Sequence, residues 1–292
     1  MSQDQDEIML IRFEEALTRS ALSSSTIVNY LADLRTFIRW GQHKASDNFS
    51  LLEVNQEQIR LYRAYLTQKL NRAASTVNRH LMALRKFFGF ARGMGVIAVD
   101  PTADVALVRD DGAAGSQPLS PEAVEKLLAA AESGSRAGLI RRDVAILQLL
   151  IHTGLRVSEI VNLQKDDLIF DNPGVHLKIC QDQNDSRTRR LPLSEKVCKA
   201  LSAYLTLRPH TTTTDHFFLS QDGRPISSRT VQRIISQCAK TAGLAGVSAQ
   251  SLRRTFAWQL FSKTNDLDLV SERLGHQNRA ITEQYLSTHE KS

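Results

Sequence analysis

His152-Thr153-Gly154-Leu155-Arg156-Val157-Ser158-Glu159-Ile160 is the stretch on which the reading of this chain turns. It closes a strongly apolar run, Val144 to Thr153, in which Val144, Ile146, Leu147, Leu149, Leu150 and Ile151 read as a helix stopped by Gly154. Arg156 stands just beyond that stop. Glu159 follows three residues later, on the same face if a new helix starts there.

Working upstream, Ser120-Pro121-Glu122 reads as an N-cap, a proline at the first helical position and an acid in the first turn, opening a helix over Ala123–Ala131. Before it, Arg109-Asp-Asp-Gly-Ala-Ala-Gly-Ser-Gln-Pro118 has the composition of a flexible connection. The expected domains are therefore 1–109 and 119–292, joined by a linker at 110–118. Downstream, Leu168–Phe170, Val175–Cys180 and Arg189–Leu193 read as three short strands of a small antiparallel sheet inserted between helices. Helices return at Lys196–Leu207, Ser228–Ala242, Ser251–Lys263, Leu267–Leu274 and around Ile281–Leu286. The fold class expected is mainly α with a small antiparallel β-sheet.

Composition bounds the function. A chain of 292 residues is long for one domain and fits two, each with its own core. Hydrophobic residues at 42% exclude a disordered chain. No apolar run reaches the ~18–20 residues of a membrane span, and the acidic start MSQDQDEIML is unlike a basic signal peptide. A soluble cytoplasmic protein is expected. Cys180, Cys198 and Cys238 lack metal or disulfide spacing and read as small buried apolar residues. Lys and Arg total 37 against 31 Asp and Glu, a net +6 that favours a polyanionic partner.

Placement of the charge says more than its sum. Residues 7–106 read as a helical domain. One helix starts at Ser24 or Ser25 and carries Ile27, Tyr30, Leu31, Leu34, Phe37 and Ile38; a third, from Asn55, turns Ile59, Tyr62, Leu66 and Leu70 inward. A fourth, after Ser75, carries Val77, Leu81, Leu84, Phe87 and Phe88 on one side, with Arg79, Arg85 and Lys86 turned away from much of that stripe. From Arg60 to Arg92 eight basic residues, Arg72 among them, occur without an acidic one. A mixed-sign surface is the ordinary case, so this segment points to nucleic acid. His80 and His152 read as structural.

Two further stretches complete the pattern. Ala249-Gln250-Ser-Leu-Arg253-Arg254-Thr-Phe-Ala257 places a second arginine at the start of an apolar helix, and Leu274-Gly275-His276 puts an imidazole nine positions ahead of Tyr285. G-L-R-x-S-E, L-R-x-T-F-A and L-G-H-x8-Y, in this order with about 95 and then about 20 residues between them, resemble the tyrosine recombinase and phage integrase family. The order and spacing are most similar to its Xer and transposon-resolvase members. The resemblance covers nearly the whole chain and implies an N-terminal helical core-binding, SAM-like domain followed by an α+β catalytic domain.

It also implies the chemistry. Tyr285 would be the nucleophile that attacks a scissile phosphate and forms a 3′-phosphotyrosyl link, releasing a 5′-hydroxyl. Arg156 and Arg253 would each offer paired donors to non-bridging phosphate oxygens and offset the charge of the transition state, a role that needs no metal or other cofactor. His276 would donate to the phosphate or manage the nucleophile's proton. Glu159 would orient Arg156 or a neighbouring imidazole. The implied partner is double-stranded DNA with inverted half-sites, bound by a homodimer that assembles into a homotetramer and exchanges strands through a Holliday junction. Arg72, Arg79, Arg85 and Lys86 in the first domain and Arg229, Arg233 and Arg254 in the second would contact that DNA across a hinge at 110–118.

The sequence departs from the family at two places. Where relatives carry His or Lys three residues before the second arginine, Gln250 stands here, able to donate a hydrogen bond but not to carry a proton in transfer. Relatives also place an acid-acting lysine in the first β-hairpin turn. Here that turn, Cys180-Gln-Asp-Gln-Asn-Asp-Ser-Arg187, has none, and Lys178 on the preceding strand is the nearest candidate. These departures leave open a DNA-binding or architectural protein with impaired catalysis, and more weakly a topoisomerase-like nick-and-reseal activity. Only seven residues follow Tyr285, so the C-terminal contact between protomers is expected either to be shorter than in relatives or to be made by the tyrosine-bearing segment itself. The core-binding helices begin within about ten residues of Met1, without an arm-binding domain, so resolution of replicon dimers or transposon cointegrates is expected over integration.

Overall fold

The computed structural model describes residues 2–20, 22, 24–45, 49–109, 117–133, 137–171, 174–182, 185–208, 214–276 and 278–287. The chain divides into two compact units, Met1–Ala113 and Ala114–Ser292. Residues 110–116, most of the connection read from sequence, lie outside the described residues.

The first unit is helical. Helices α1 (Ser2–Thr18), α2 (Ser24–Ala45), α3 (Gln56–Ala64) and α4 (Ala74–Gly93) enclose an aromatic core, in which Phe37 meets Tyr62 at 4.9 Å and Phe13 meets Phe87 edge-on at 5.4 Å between ring centroids. The acidic N-terminal segment has an inward use: the buried Asp6 carboxylate accepts hydrogen bonds from the Leu51 and Leu52 amides and the Ser50 hydroxyl, fixing a short 3-10 turn at Leu51–Glu53. Asn55 caps α3 in a reciprocal capping box with Gln58.

Two sequence expectations change here. Leu70, expected inward, is 38% exposed, because α3 widens into a π turn at Tyr65–Lys69 and the extra residue carries Leu70 round the axis and off the buried stripe. The basic face of α4 is also less free than its sequence suggests. Arg79 reaches across to α2, where its guanidinium lies 2.7 Å from the buried Asp33 carboxylate, and Arg85 donates to the Val105 carbonyl at 2.6 Å. Lys86 and Arg72 are exposed. His80 completes the buried group, 3.2 Å from the Tyr62 hydroxyl and 3.4 Å from Asp33. Burial, helped by the Arg79 and Arg72 charges, pushes its pKa down to about 4, so at neutral pH it shares a hydrogen bond with its neighbours and carries no charge.

The second unit is built round α6 (Ala137–Thr153). Its residues Val144 to Ile151 are buried on nearly every side except at Gln148, so other elements must cover it all round. Helices α5 (Pro121–Glu132), α8 (Glu195–Leu205), α9 (Ser228–Thr241) and α10 (Ala249–Thr264) do so. A three-stranded antiparallel sheet follows the short α7 (Val157–Asn162): β1 (Leu168–Asp171), β2 (Gly174–Asp182) and β3 (Asp185–Pro192), in that order. Helices α11 (Leu267–Leu274) and α12 (Arg279–Ser287) end the described chain.

The hairpin is longer than expected. β2 and β3 run through most of the polar stretch read as a turn, with a bulge between Cys180 and Asp182, and only 183–184 of that stretch fall outside the described residues. Backbone pairing does not require apolar side chains, so nothing in the polar run announces it. Register settles the faces. Leu177 opposes Leu191 and Ile179 opposes Arg189, all buried, while Lys178 opposes Arg190 on the exposed face. Cys180 shares that outward parity and is exposed, Cys198 is half-buried, and only Cys238 is buried as expected.

The Asp33–Arg79 pair can be tested against its exposed neighbour. Arg79→Gln leaves a buried carboxylate without its counter-charge and is expected to cost about 1–3 kcal/mol of unfolding free energy. Lys86→Gln should stay within about 0.5 kcal/mol. Urea unfolding of the two variants checks this, and equal stabilities would make Arg79 only a surface cation.

Candidate active site

Two helix ends and their carbonyls form the floor of the site. α6 stops at Gly154 and α11 at Gly275, both left-handed, at φ of +63° and +64°. Gly154 is required twice, since a Cβ there would also run into the Phe256 and Leu274 side chains. The last carbonyls of a helix lack partners within it and carry its negative end. Guanidinium groups meet them here.

Arg253, on the second turn of α10, is only 6% exposed. It donates through one terminal nitrogen to the Gly154 carbonyl and through the other to the Leu274 carbonyl at 2.6 Å. Burial, followed by the nearby Arg156 charge, lowers its pKa to about 10, so it stays cationic at neutral pH. Arg156 caps the start of α7. Its backbone N–H donates to Glu159 Oε2 at 2.7 Å, and its guanidinium to Glu159 Oε1 at 3.2 Å and to the Gly275 carbonyl at 3.3 Å. Its side chain is 42% exposed, which leaves part of the guanidinium open to a ligand.

Glu159 is nearly buried, and the sequence reading missed its main partner. Arg189 on β3 grips it with a two-pronged pair of 2.9 Å hydrogen bonds. Burial raises the Glu159 pKa, but the Arg189 hydrogen bonds and charge, with the Arg156 amide and charge, more than offset that and hold it below the usual carboxylate range. The expectation that Glu159 orients Arg156 describes one side of a carboxylate shared by two arginines. Parity was the available signal: Arg189 lies two residues before the buried Leu191, so it faces inward, and a buried arginine needs an acid.

His276 and Tyr285 lie face to edge, 5.5 Å between ring centroids. The His276 Nδ1 is 2.9 Å from the hydroxyl of Thr282, a fully buried residue that the sequence reading also passed over. That contact fixes the ring and leaves Nε2 as the nitrogen able to exchange a proton with a ligand. Burial, then the charges of Arg253, Arg156 and Arg189, push the His276 pKa down to about 4. Tyr285 also packs with Phe256, Leu260, Phe261 and Leu286 against the small buried cluster of Ala257, Val270 and Leu274, so its helix has a core of its own. The Arg254 guanidinium sits 5.0 Å from the Tyr285 ring centroid.

The remaining candidates sit on α10, the β2–β3 hairpin and α9. Gln250 is exposed on the first turn of α10, three residues before Arg253. Lys178 points from the sheet face opposite to Arg189, away from the Glu159 side of the hairpin. Arg229 and Arg233 are exposed one turn apart on α9, and Lys240 continues that basic helix. What the site itself assembles is three guanidinium groups, from Arg156, Arg189 and Arg253, around the single carboxylate of Glu159. Such an excess fits an anion of the phosphate type.

Residues 117–292 match the profile of the phage integrase family, and residues 10–95 that of the phage integrase N-terminal SAM-like domain. The chain is 31% identical over 271 residues to the tyrosine recombinase XerC of Staphylococcus carnosus, spanning 90% of this chain and 86% of that protein. To the tyrosine recombinase XerD of Listeria monocytogenes it is 30% identical over 277 residues, spanning 92% and 90%. Among solved structures, XerH site-specific recombinase bound to a palindromic difH substrate aligns with a TM-score of 0.72 at 21% identity, over 91% of this chain and 77% of that one. A lambda integrase dimer bound to a COC′ core site aligns at 0.73 and 19%, over 98% and 96%. At those identities the two structures speak for the fold.

Two strongly depressed histidines, His80 and His276, give the chain a measurable pH response, to which His152, also lowered by burial, adds in the same direction. His80 and His276 stay neutral in the folded chain down to about pH 4, whereas unfolded imidazoles take up protons near 6.5. Between those values the unfolded state binds more protons, so stability should fall as pH drops from about 6.5 toward 4 and be insensitive to these groups above pH 7. Denaturant unfolding across that range should show the decline, and His80→Gln/His276→Gln should lessen it. NMR signals from both rings should hold still from pH 7.5 to 5; a midpoint near 6.5 for either would contradict the assignment.

Proposed function

The chain belongs to the phage integrase family, the tyrosine-type site-specific DNA recombinases, and from that premise we propose that its second unit cuts and rejoins DNA through a covalent link to Tyr285. The observation that carries this reading is the meeting of Arg156, Arg253, His276 and Tyr285, far apart in the sequence, round the ends of α6 and α11.

In the proposed reaction the Tyr285 oxygen attacks the scissile phosphorus, a phosphorus–tyrosine bond forms, and the bond to the 5′-oxygen breaks. The phenolic proton leaves and the departing 5′-oxygen gains one. A neutral His276, whose Nδ1 is taken up by Thr282, can take part in that exchange through Nε2. Arg156 and Arg253 hold the non-bridging oxygens and offset the negative charge of the five-coordinate state, which is where fixed cations act most strongly. Attack by the 5′-hydroxyl of another strand reverses the step and frees Tyr285. Since the link conserves the bond energy, no nucleotide cofactor is consumed.

The same reading extends to the assembly. Two protomers bind inverted half-sites, two such pairs form a tetramer, and strands exchange through a Holliday junction, in the cytoplasm, to resolve replicon dimers or transposon cointegrates. Basic surfaces of both units, among them Arg72, Lys86, Arg229 and Arg233, contact the DNA backbone. A second reading, DNA binding without turnover, is favoured by Gln250 in a position relatives fill with a base and by the outward direction of Lys178.

A nicked duplex bearing the sequence that the chain selects from a randomised pool separates the two. The recombinase reading expects a covalent protein–DNA adduct that Tyr285→Phe abolishes without loss of binding, and a cleavage rate about 10²–10³-fold lower for Arg156→Gln or Arg253→Gln. No adduct from the unaltered chain would leave the binding-only reading. Affinity for the same duplex should fall ~10³-fold or more between 50 and 200 mM salt if six or more phosphates are contacted.

A further inference from the structure

Glu159 poses a problem that the recombination chemistry does not explain. A carboxylate this close to Arg156 neutralises the very guanidinium that has to face the phosphate. Its four acceptor positions are all taken: Arg156 supplies its amide and one terminal nitrogen, and Arg189 supplies both of its terminal nitrogens, each at 2.9 Å. Glu159 takes every hydrogen bond that Arg189 is seen to donate from its guanidinium. Among the described residues its two terminal nitrogens both go to Glu159, its side chain is 6% exposed, and its buried Nε has no acceptor.

Building a second buried cation to hold one carboxylate costs desolvation, and a hydrogen-bonded neutral residue would pack there with less cost. The geometry accounts for the expense. With Arg189 absorbing the Glu159 charge, Arg156 needs only one terminal nitrogen to be oriented by that carboxylate, and a second goes to the Gly275 carbonyl beside His276. Without it, a nearly buried carboxylate would be left with Arg156 as its only hydrogen-bonded cation and would draw both prongs of that guanidinium to itself.

On the recombinase reading above, we propose that Arg189 is a positioning residue: it serves as the counter-charge of Glu159, so that Glu159 can orient Arg156 without neutralising it toward the scissile phosphate. Arg189 itself need not touch DNA. The proposal makes a removed carboxylate compensate for a removed arginine, which a merely structural role for the pair would not.

The test is a cycle of full-length variants on the selected nicked duplex at saturating concentration. Arg189→Gln should slow adduct formation about 10–100-fold, as displaced catalytic groups do, with affinity for the duplex within about twofold of the unaltered chain. Arg189→Lys, which keeps the charge but not the fork, should fall between them. Arg189→Gln/Glu159→Gln should recover at least tenfold over Arg189→Gln alone. Should Arg189→Gln fail to fold, the lysine and double variants carry the comparison. An Arg189→Gln rate within about threefold of the unaltered chain, or a double variant no faster than the single one, overturns the proposal. A readout independent of turnover is the 13C carboxyl titration of Glu159, whose midpoint should rise in Arg189→Gln and stay closer to that of the unaltered chain in Arg189→Lys, which keeps the charge; an unchanged midpoint in Arg189→Gln would count against Arg189 as the counter-charge. If the unaltered chain forms no adduct, the recombinase reading falls, while this titration still decides what Arg189 does for Glu159.

Discussion

The second unit is organised by the need to satisfy one buried cation. Arg253 keeps its charge at neutral pH while only 6% exposed, so its N–H groups must find acceptors inside the protein. They find the carbonyls at the ends of α6 and α11, which the helices themselves cannot use. For both carbonyls to reach one guanidinium, α10 has to pass directly beneath two helix termini. Gly154 permits that approach, since it takes a left-handed turn and leaves room for Phe256 and Leu274. Core packing and site geometry are therefore fixed by the same contacts, and the residues around Tyr285 are positioned by the hydrophobic contacts that close the core.

The two units treat buried charge in opposite ways. In the first, Asp33 meets Arg79, and His80 beside them stays neutral, so the group is balanced. In the second, three guanidinium groups surround one carboxylate. Such an imbalance is costly unless something anionic joins it. The balanced group needs no further partner, and the unbalanced one is where the proposed reaction would place a phosphate. The partial use of Arg79 and Arg85 inside the first unit also shows why a count of cations along a segment overstates the surface they offer.

Much of this was legible in the chain itself. The helices around Ile146 and Phe87, the sheet, and the roles suggested for Arg156, Arg253, His276 and Tyr285 came from apolar spacing, glycine stops and the three motifs. What escaped was information carried by facing rather than by composition. Arg189 and Lys178 sit on neighbouring strands with opposite parity; only the former points at Glu159, and the register that says so lies in backbone pairing across a polar hairpin. Thr282 carries no sequence mark of its contact, since only the fold brings its hydroxyl to His276. Leu70 left its expected stripe because a π turn adds a residue without any sequence mark of its own.

Gly154 and Gly275 carry a consequence for how natural variation in this chain is interpreted. Neither has a side chain, neither can meet a substrate except through its backbone, and a search for functional positions by chemistry would ignore both. Yet each supplies a carbonyl that holds an arginine of the site, from a backbone shape that other residues rarely adopt. In genetic terms, a missense allele at either glycine belongs with alleles at the arginines it serves, and on the proposed reaction the inactivating target is wider than the charged and aromatic residues assigned to it.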